Sequence, residues 1–295
     1  MLEKRARLVS GDVKALSGLP IATMERVRIA RAIVDVRKRS PSAARLLFAD
    51  VRPIFAWALD QGIIDANPML GMRGPATAQA RDRVMADDEL RVLWHVLDGE
   101  GWPFGEAFKL LLLTGQRRDE VTGMRCREVN LDAQTWTIAK DRCKNGKAHT
   151  IDLCPEALRL IASRMPDVGP TRAKGIDRLV YTTTGQTAVS GYSKAKARID
   201  RKMKAELGDR FQAWRLHDLR RTAASGMAAL GFQPHVIERV LNHVSGAQGG
   251  LVGVYQRHEY RDDRKRAILA WGEHVMALVS AEAPKAENVV QLRRA

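Results

Sequence analysis

The reading of this chain turns on residues 215–260, RLHDLRRTAASGMAALGFQPHVIERVLNHVSGAQGGLVGVYQRHEY. Leu219, Ala223, Met227 and Leu230 recur at helical spacing and Gly231 supplies a stop, so the periodicity predicts a helix opening near Arg215. His217 and Arg220 stand three residues apart on it. Residues at i and i+3 share one helix face, so an imidazole and a guanidinium can address one target. A second short helix is expected from Gln233 to Leu241, with His243 just after it and Tyr255 beyond a glycine-rich connector. Histidine, arginine, histidine and tyrosine in that order suit phosphodiester chemistry. The planar guanidinium grips phosphate oxygens in pairs. A tyrosine hydroxyl has a free pKa of about 10 and needs a base and positive charge nearby before it attacks. Taken alone, an H-x-x-R pair is more often a solvated helix pair, so the weight rests on what surrounds it.

Composition supplies the first part of that weight. The chain of 295 residues is long enough for two domains, and its 45% apolar content is that of an ordinary globular protein. Lys and Arg number 49 against 34 Asp and Glu, a net charge of +15, with a pI near 10.2. Such an excess points to a polyanion, most often nucleic acid. It is also concentrated: residues 1–45 hold eleven basic and four acidic residues, and residues 194–221 hold ten and four. No apolar run approaches a membrane span, and the N-terminus MLEKRARLVSGD lacks the apolar stretch of a signal peptide. Cys126, Cys143 and Cys154 are odd in number and too widely spaced for a C-x-x-C motif, which is expected of reduced packing residues in a cytoplasmic protein.

Outward from the quoted stretch, the chain reads as mainly α with a small antiparallel β-sheet. Residues 1–75 are helical in pattern, including Pro41 to Leu59, where Pro53 is expected to break or kink the helix. Residues 72–86 are small, basic and rich in breakers, so a domain boundary is placed near residue 80. Helices are expected from Asp87 to Leu97 and over 103–115, the second ended by Gly115. Arg117 then sits in a turn before a short helix, with Glu120 three residues on, able to orient Arg117 or to pair with Arg118. TWTIA (135–139) and HTIDL (149–153) alternate as strands, joined through Asn145-Gly146, a strong hairpin signal flanked by Lys144 and Lys147. A short strand is expected at Leu179–Tyr181, a basic helix from Ser193 to Leu207, and a final amphipathic helix from Arg261 to Val279.

In this order, TGQRRDEV (114–121), the KNGK hairpin (144–147) ending in HTIDL, LHDLRRTAAS (216–225), LNH (241–243) and VYQRHEY (254–260) resemble the signatures of tyrosine recombinases. The resemblance covers residues 83–280, and IFAWALDQGIIDANP (54–68) and the GVYQRHEY ending are similar to prophage-type integrases. It implies a helical core-type DNA-binding domain at 1–78, a catalytic domain at 79–280 and a C-terminal tail at 281–295, the two domains clamping duplex DNA. Roughly 80 residues are too few for two N-terminal domains, so recognition of core-type sites alone, without distal arm sites, is expected.

Carried over residue by residue, the resemblance implies that Arg117 and Arg220 clamp the scissile phosphate and that Lys144 protonates the leaving 5′ oxygen. His217 and His243 serve as base and phosphate donor, Tyr255 is the nucleophile, and Glu120 supports Arg117. Lys147 is the alternative to Lys144, and Tyr260 the alternative to Tyr255. Further DNA contacts are expected from Arg118, Lys147, His149, Lys194, Lys196, Arg201 and Arg221. The implied function is site-specific strand exchange on double-stranded DNA, integrating or excising a mobile element, by four protomers on synapsed attachment sites. Accessory DNA-bending or directionality proteins are expected partners; a membrane is not, and the place of action is the cytoplasmic nucleoid. Two arginine forks and histidine donors neutralise transition-state charge in place of a metal, and a phosphotyrosine conserves bond energy. Hence neither metal nor other cofactor is expected. The rival readings are a type IB topoisomerase-like relaxing enzyme and a non-catalytic DNA-binding accessory protein.

Overall fold

The computed structural model describes residues 16, 18–76, 82–143, 146–165, 177–243 and 260–281. Lys144, Asn145, Tyr255 and the tail from 282 onward therefore lie outside the described residues. The chain divides into two compact units, 1–81 and 82–295.

In the first unit, α1 (Arg26–Arg39) and α2 (Pro41–Asp60) are separated by Ser40 alone. Ser40 caps α2 by accepting a hydrogen bond from the Ala43 N–H at 3.2 Å, and Pro41 occupies the first helical position, where its missing N–H costs nothing. Ile29, Ile33 and Val36 line one face of α1 and bury against Leu47, Phe48, Val51 and Phe55 of α2. Of the break or kink expected at Pro53, the break does not occur: α2 runs through it to Asp60. The carbonyl that loses its partner belongs to Ala49, and both Ala49 and Pro53 are exposed, so it lies where water can satisfy it.

The second unit is built around α4 (Phe104–Thr114), whose residues from Ala107 onward are all buried. A helix apolar all round belongs at the centre of its domain. Around it pack α3 (Asp87–Glu100), α5 (Arg118–Thr122), α6 (Pro155–Ala162), α8 (Leu216–Ala229) and α10 (Arg261–Ser280). The last carbonyls of a helix have no partner within it; the Leu112 carbonyl of α4 accepts from Trp271 Nε1 of α10 at 2.8 Å. Gly226 of α8 makes room for that indole, since a Cβ there would lie 2.1 Å from Trp271.

A three-stranded antiparallel sheet, β1 (Val129–Asn130), β2 (Thr135–Ile138) and β3 (His149–Asp152), pairs Trp136 with Ile151 and Ile138 with His149. The stretch read as a strand at 179–181 makes a single bridge, Leu179 to Arg125. Helix α7 (Tyr192–Leu207) packs on α3. The apolar stripe expected for α8 extends to Leu230, but the helix ends at Ala229 and the Leu230 side chain is exposed. Helix α9 (Pro234–Val240) packs between α8 and α10. Among the described residues, no helix is long and apolar enough to cross a membrane.

Candidate active site

Three chain segments meet over the end of α4. Gly115, at φ +65°, closes α4 in the left-handed conformation that glycine adopts without strain. The turn it makes leaves Arg117 as the N-cap of α5. Glu120 resolves the choice left open by the sequence: its carboxylate accepts from the Arg117 backbone N–H and from Arg117 Nη1, both at 2.8 Å. Arg118 pairs instead with Asp119 at 2.7 Å and lies over the Tyr192 ring. Arg117 is thus held by its own helix while remaining about a third exposed.

Arg220 emerges from the first turns of α8 and is buried, only 6% exposed. Its Nη1 donates to the Gly115 carbonyl at 2.8 Å and its Nη2 to the Leu241 carbonyl at 2.6 Å. Burial, followed by the charge of Arg117, pulls its pKa down to about 10, so it is still a cation at neutral pH. At the start of the same helix, the fully buried Asp218 caps the Arg215 N–H and pairs with Arg221 at 2.7 Å. His217 beside it is exposed, and its pKa is lowered first by partial desolvation and then by Arg221 and Arg220. A neutral imidazole there can accept a proton.

The third segment is the C-terminal end of α9, where successive carbonyls point out of the helix without helical partners. The Val240 carbonyl accepts from Gln116 Nε2 at 2.9 Å and from the His149 ring at 3.0 Å. The Leu241 carbonyl takes Arg220, and the Asn242 carbonyl takes Arg117 Nη2 at 3.4 Å. These bonds hold the turn that ends in His243, whose own N–H returns to the Glu238 carbonyl at 2.9 Å. Arg117, His217 and Arg220 line a cleft of about 240 Å³. The same three residues, with Arg221 and His243, line an adjoining one of about 330 Å³. The second cleft gathers three guanidinium groups and two imidazoles, which can bind and polarise a phosphate-class oxyanion.

Two expected DNA contacts are corrected by burial. His149 is 6% exposed and its ring is committed to the Val240 carbonyl, so it supports the His243 turn from below. Lys196 pairs with Asp200 at 2.5 Å and lies 3.9 Å over the Trp214 ring, its side chain only 15% exposed. Lys147, Lys194 and Arg201 are exposed, as is Arg118. Tyr260 lies 4.6 Å from the His235 ring and lines neither cleft. Sequence reasoning passed over Gln116, although it stands inside the quoted TGQRRDEV. Nothing local in the sequence marks it, because its burial and its bond to the Val240 carbonyl arise only in the fold.

Because Val240 offers only a carbonyl, the His149 nitrogen facing it must carry the proton. Burial, then the charge of Arg264, pushes the His149 pKa down to about 4, with Arg220 adding to the effect and Glu120 and the Val240 bond opposing it. The unfolded chain, with an ordinary histidine pKa near 6.5, binds more protons than the fold between these values. His149 therefore contributes stability that is complete above about pH 6.5 and is lost as the pH falls towards about 4. The slope is at most about 1.4 kcal/mol per pH unit. His149→Gln keeps a donor and removes the titration. Melting curves from pH 7 to 4 should show the wild type losing stability faster than this variant, and parallel curves would refute the assignment.

Comparison with known proteins identifies the family and the fold. The model of the phage integrase family matches residues 83–260. The prophage integrase IntA of Escherichia coli (strain K12) is 25% identical over 275 residues, which is 89% of this chain and 62% of that relative's length. Among solved structures, a lambda integrase tetramer bound to a Holliday junction superposes with a TM-score of 0.60 at 17% identity, covering 83% of this chain and 71% of that one. The Tn1549 transposon integrase in complex with a circular intermediate DNA gives 0.62 at 13% identity, covering 90% and 93%. With the family model spanning more than half of its length, this chain belongs to the phage integrase family.

Proposed function

We propose that this protein is a site-specific DNA recombinase that cuts and rejoins duplex DNA through a 3′-phosphotyrosine, integrating or excising a mobile element. The observation that carries the reading is the convergence of Arg117, Arg220, His217 and His243 on shared clefts. In the proposed step, the Tyr255 hydroxyl oxygen bonds to the scissile phosphorus as the bond from phosphorus to the 5′ oxygen breaks. His217 accepts the tyrosine proton, and Lys144 donates a proton to the 5′ oxygen, which leaves with the electron pair. The two arginines and His243 stabilise the charge on the non-bridging oxygens. Rejoining runs the same step backwards from a different 5′ hydroxyl, so the phosphotyrosine carries the bond energy.

The family and the relatives support this class of substrate. IntA is a prophage integrase, the lambda enzyme is bound to a Holliday junction as a tetramer, and the Tn1549 enzyme holds a circular intermediate DNA. By the same reasoning, four protomers act on two synapsed attachment sites in the nucleoid, assisted by DNA-bending or directionality proteins. The exposed Lys194 and Arg201 on the basic helix α7 provide phosphate contacts.

The test is incubation with attachment-site duplexes nicked near the cut, so that the severed fragment diffuses away and traps the adduct. An SDS-resistant protein–DNA species should form at an undiminished rate in excess EDTA, because the arginines supply the positive charge. Adduct formation that requires Mg²⁺ would sink this mechanism, and binding without any adduct would leave only a DNA-binding protein.

A further inference from the structure

Resting on the reading of Lys144 as the group that protonates the leaving oxygen, we propose that Arg142 is its positioning residue. Arg142 ends the single 3₁₀ turn Lys140–Arg142, which leads from β2 into the hairpin. Its side chain is largely buried, 18% exposed. Nη1 reaches both carboxylate oxygens of Glu128, and Nη2 donates to the Glu120 carbonyl at 2.7 Å. One guanidinium thereby ties the base of the hairpin to α5, the helix whose N-cap is Arg117.

The anchor at the far end of this fork is itself fixed. Glu128 is nearly inaccessible, and its carboxylate also accepts from Trp136 Nε1 at 3.1 Å and from the Arg125 backbone N–H at 3.2 Å. Gly123 leaves the passage open, since a Cβ there would sit 2.8 Å from Arg142 Nη2. The next residue, Cys143, is buried, with its Sγ 3.8 Å from the Ile138 carbonyl. Glu120 thus serves the site at both ends: its carboxylate holds Arg117 and its carbonyl holds Arg142. Lys144 follows Arg142 by only two positions in sequence, so the anchored arginine is its near neighbour along the chain. Arg142, at the base of the hairpin, and Arg117, at the N-cap of α5, therefore share Glu120 as a support.

A buried arginine in an ion pair often serves the fold alone, and the experiment must separate that role from positioning. Lysine retains the charge facing Glu128 but is a point donor that cannot span both the carboxylate and the Glu120 carbonyl. Arg142→Lys, and the Arg142→Met/Glu128→Gln double variant that removes the buried pair together, are compared with Lys144→Ala. All are first checked for wild-type melting and gel-shift affinity. Single-turnover cleavage is then measured on two nicked duplexes, one with the natural bridging 5′ oxygen and one with sulfur in its place. When the bond from phosphorus to sulfur breaks, the thiolate leaves with its electron pair and needs no proton, so general-acid catalysis becomes dispensable.

Cleavage of the oxygen duplex by Arg142→Lys should fall by about 10²-fold, the lower range for loss of a general acid. On the sulfur duplex it should approach the wild-type rate, as Lys144→Ala should. If Lys144→Ala is rescued by sulfur while both Arg142 variants are equally slow on both duplexes, Arg142 is merely structural and the inference is overturned. Wild-type cleavage of the oxygen duplex by both variants overturns it as well. If Lys144→Ala itself is not rescued, the general-acid reading of Lys144 fails first, and rescue of Lys147→Ala would transfer that role.

Discussion

Tyr255→Phe should abolish the SDS-resistant protein–DNA adduct, with no residual species above background, while gel-shift affinity stays within about threefold of wild type. The substitution keeps the ring and removes only the hydroxyl that forms the bond to phosphorus. Binding, by contrast, comes from many lysine and arginine contacts to phosphates, none of which the change touches. The measurement discriminates because the chain offers a second tyrosine close by in sequence. Tyr260 is the N-cap of α10 at φ +47°, with its ring against His235. Its place in the fold is that of a junction residue, so Tyr260→Phe should leave the adduct intact. If Tyr260→Phe removes the adduct and Tyr255→Phe does not, the nucleophile has been misassigned.

What the sequence could reveal follows from the range over which its signals act. Local periodicity and punctuation placed α8, α10 and the β2–β3 pair within a few residues, because side-chain spacing and glycine stops are local properties. Gly115 and Gly231, both with positive φ, mark the two stops read in advance. The site is different. His217, Arg220 and His243 stand within one stretch and could be grouped locally, but Arg117 lies far upstream, and only the resemblance of ordered motifs added it to the list. The structure adds the reason they meet: the open carbonyls at the end of α9 take Gln116, Arg117, His149 and Arg220 as partners. No local pattern announces that His149 faces a carbonyl 91 residues away. Lys196 was misjudged for a related reason. Its i+4 partner Asp200 was visible in the sequence, but the Trp214 ring that covers it was not.

Arg220→Lys should be nearly as damaging to catalysis as loss of the nucleophile, and unlike that loss it should also weaken the fold. The guanidinium spends two of its five N–H groups on the Gly115 and Leu241 carbonyls, leaving others for the phosphate in the cleft. An ammonium cannot hold both carbonyls and still reach a phosphate. Whichever carbonyl is abandoned is left buried without a partner, at a cost of about 1–3 kcal/mol. If the Leu241 carbonyl is released, the turn that presents His243 loses one of its ties, so the effect spreads beyond one donor. Loss of a single transition-state donor typically lowers rate by about 10²–10³-fold, and here that is the lower bound. Single-turnover cleavage, gel-shift affinity and melting temperature should be read on the same preparation. Cleavage should fall by at least about 10²-fold and the melting temperature by several degrees, with affinity only modestly changed because most phosphate contacts persist. A variant that melts like the wild type and cleaves within tenfold of it would show that the carbonyl bonds do not set the position of this arginine. The account of the α9 terminus as the frame of the site would then be wrong.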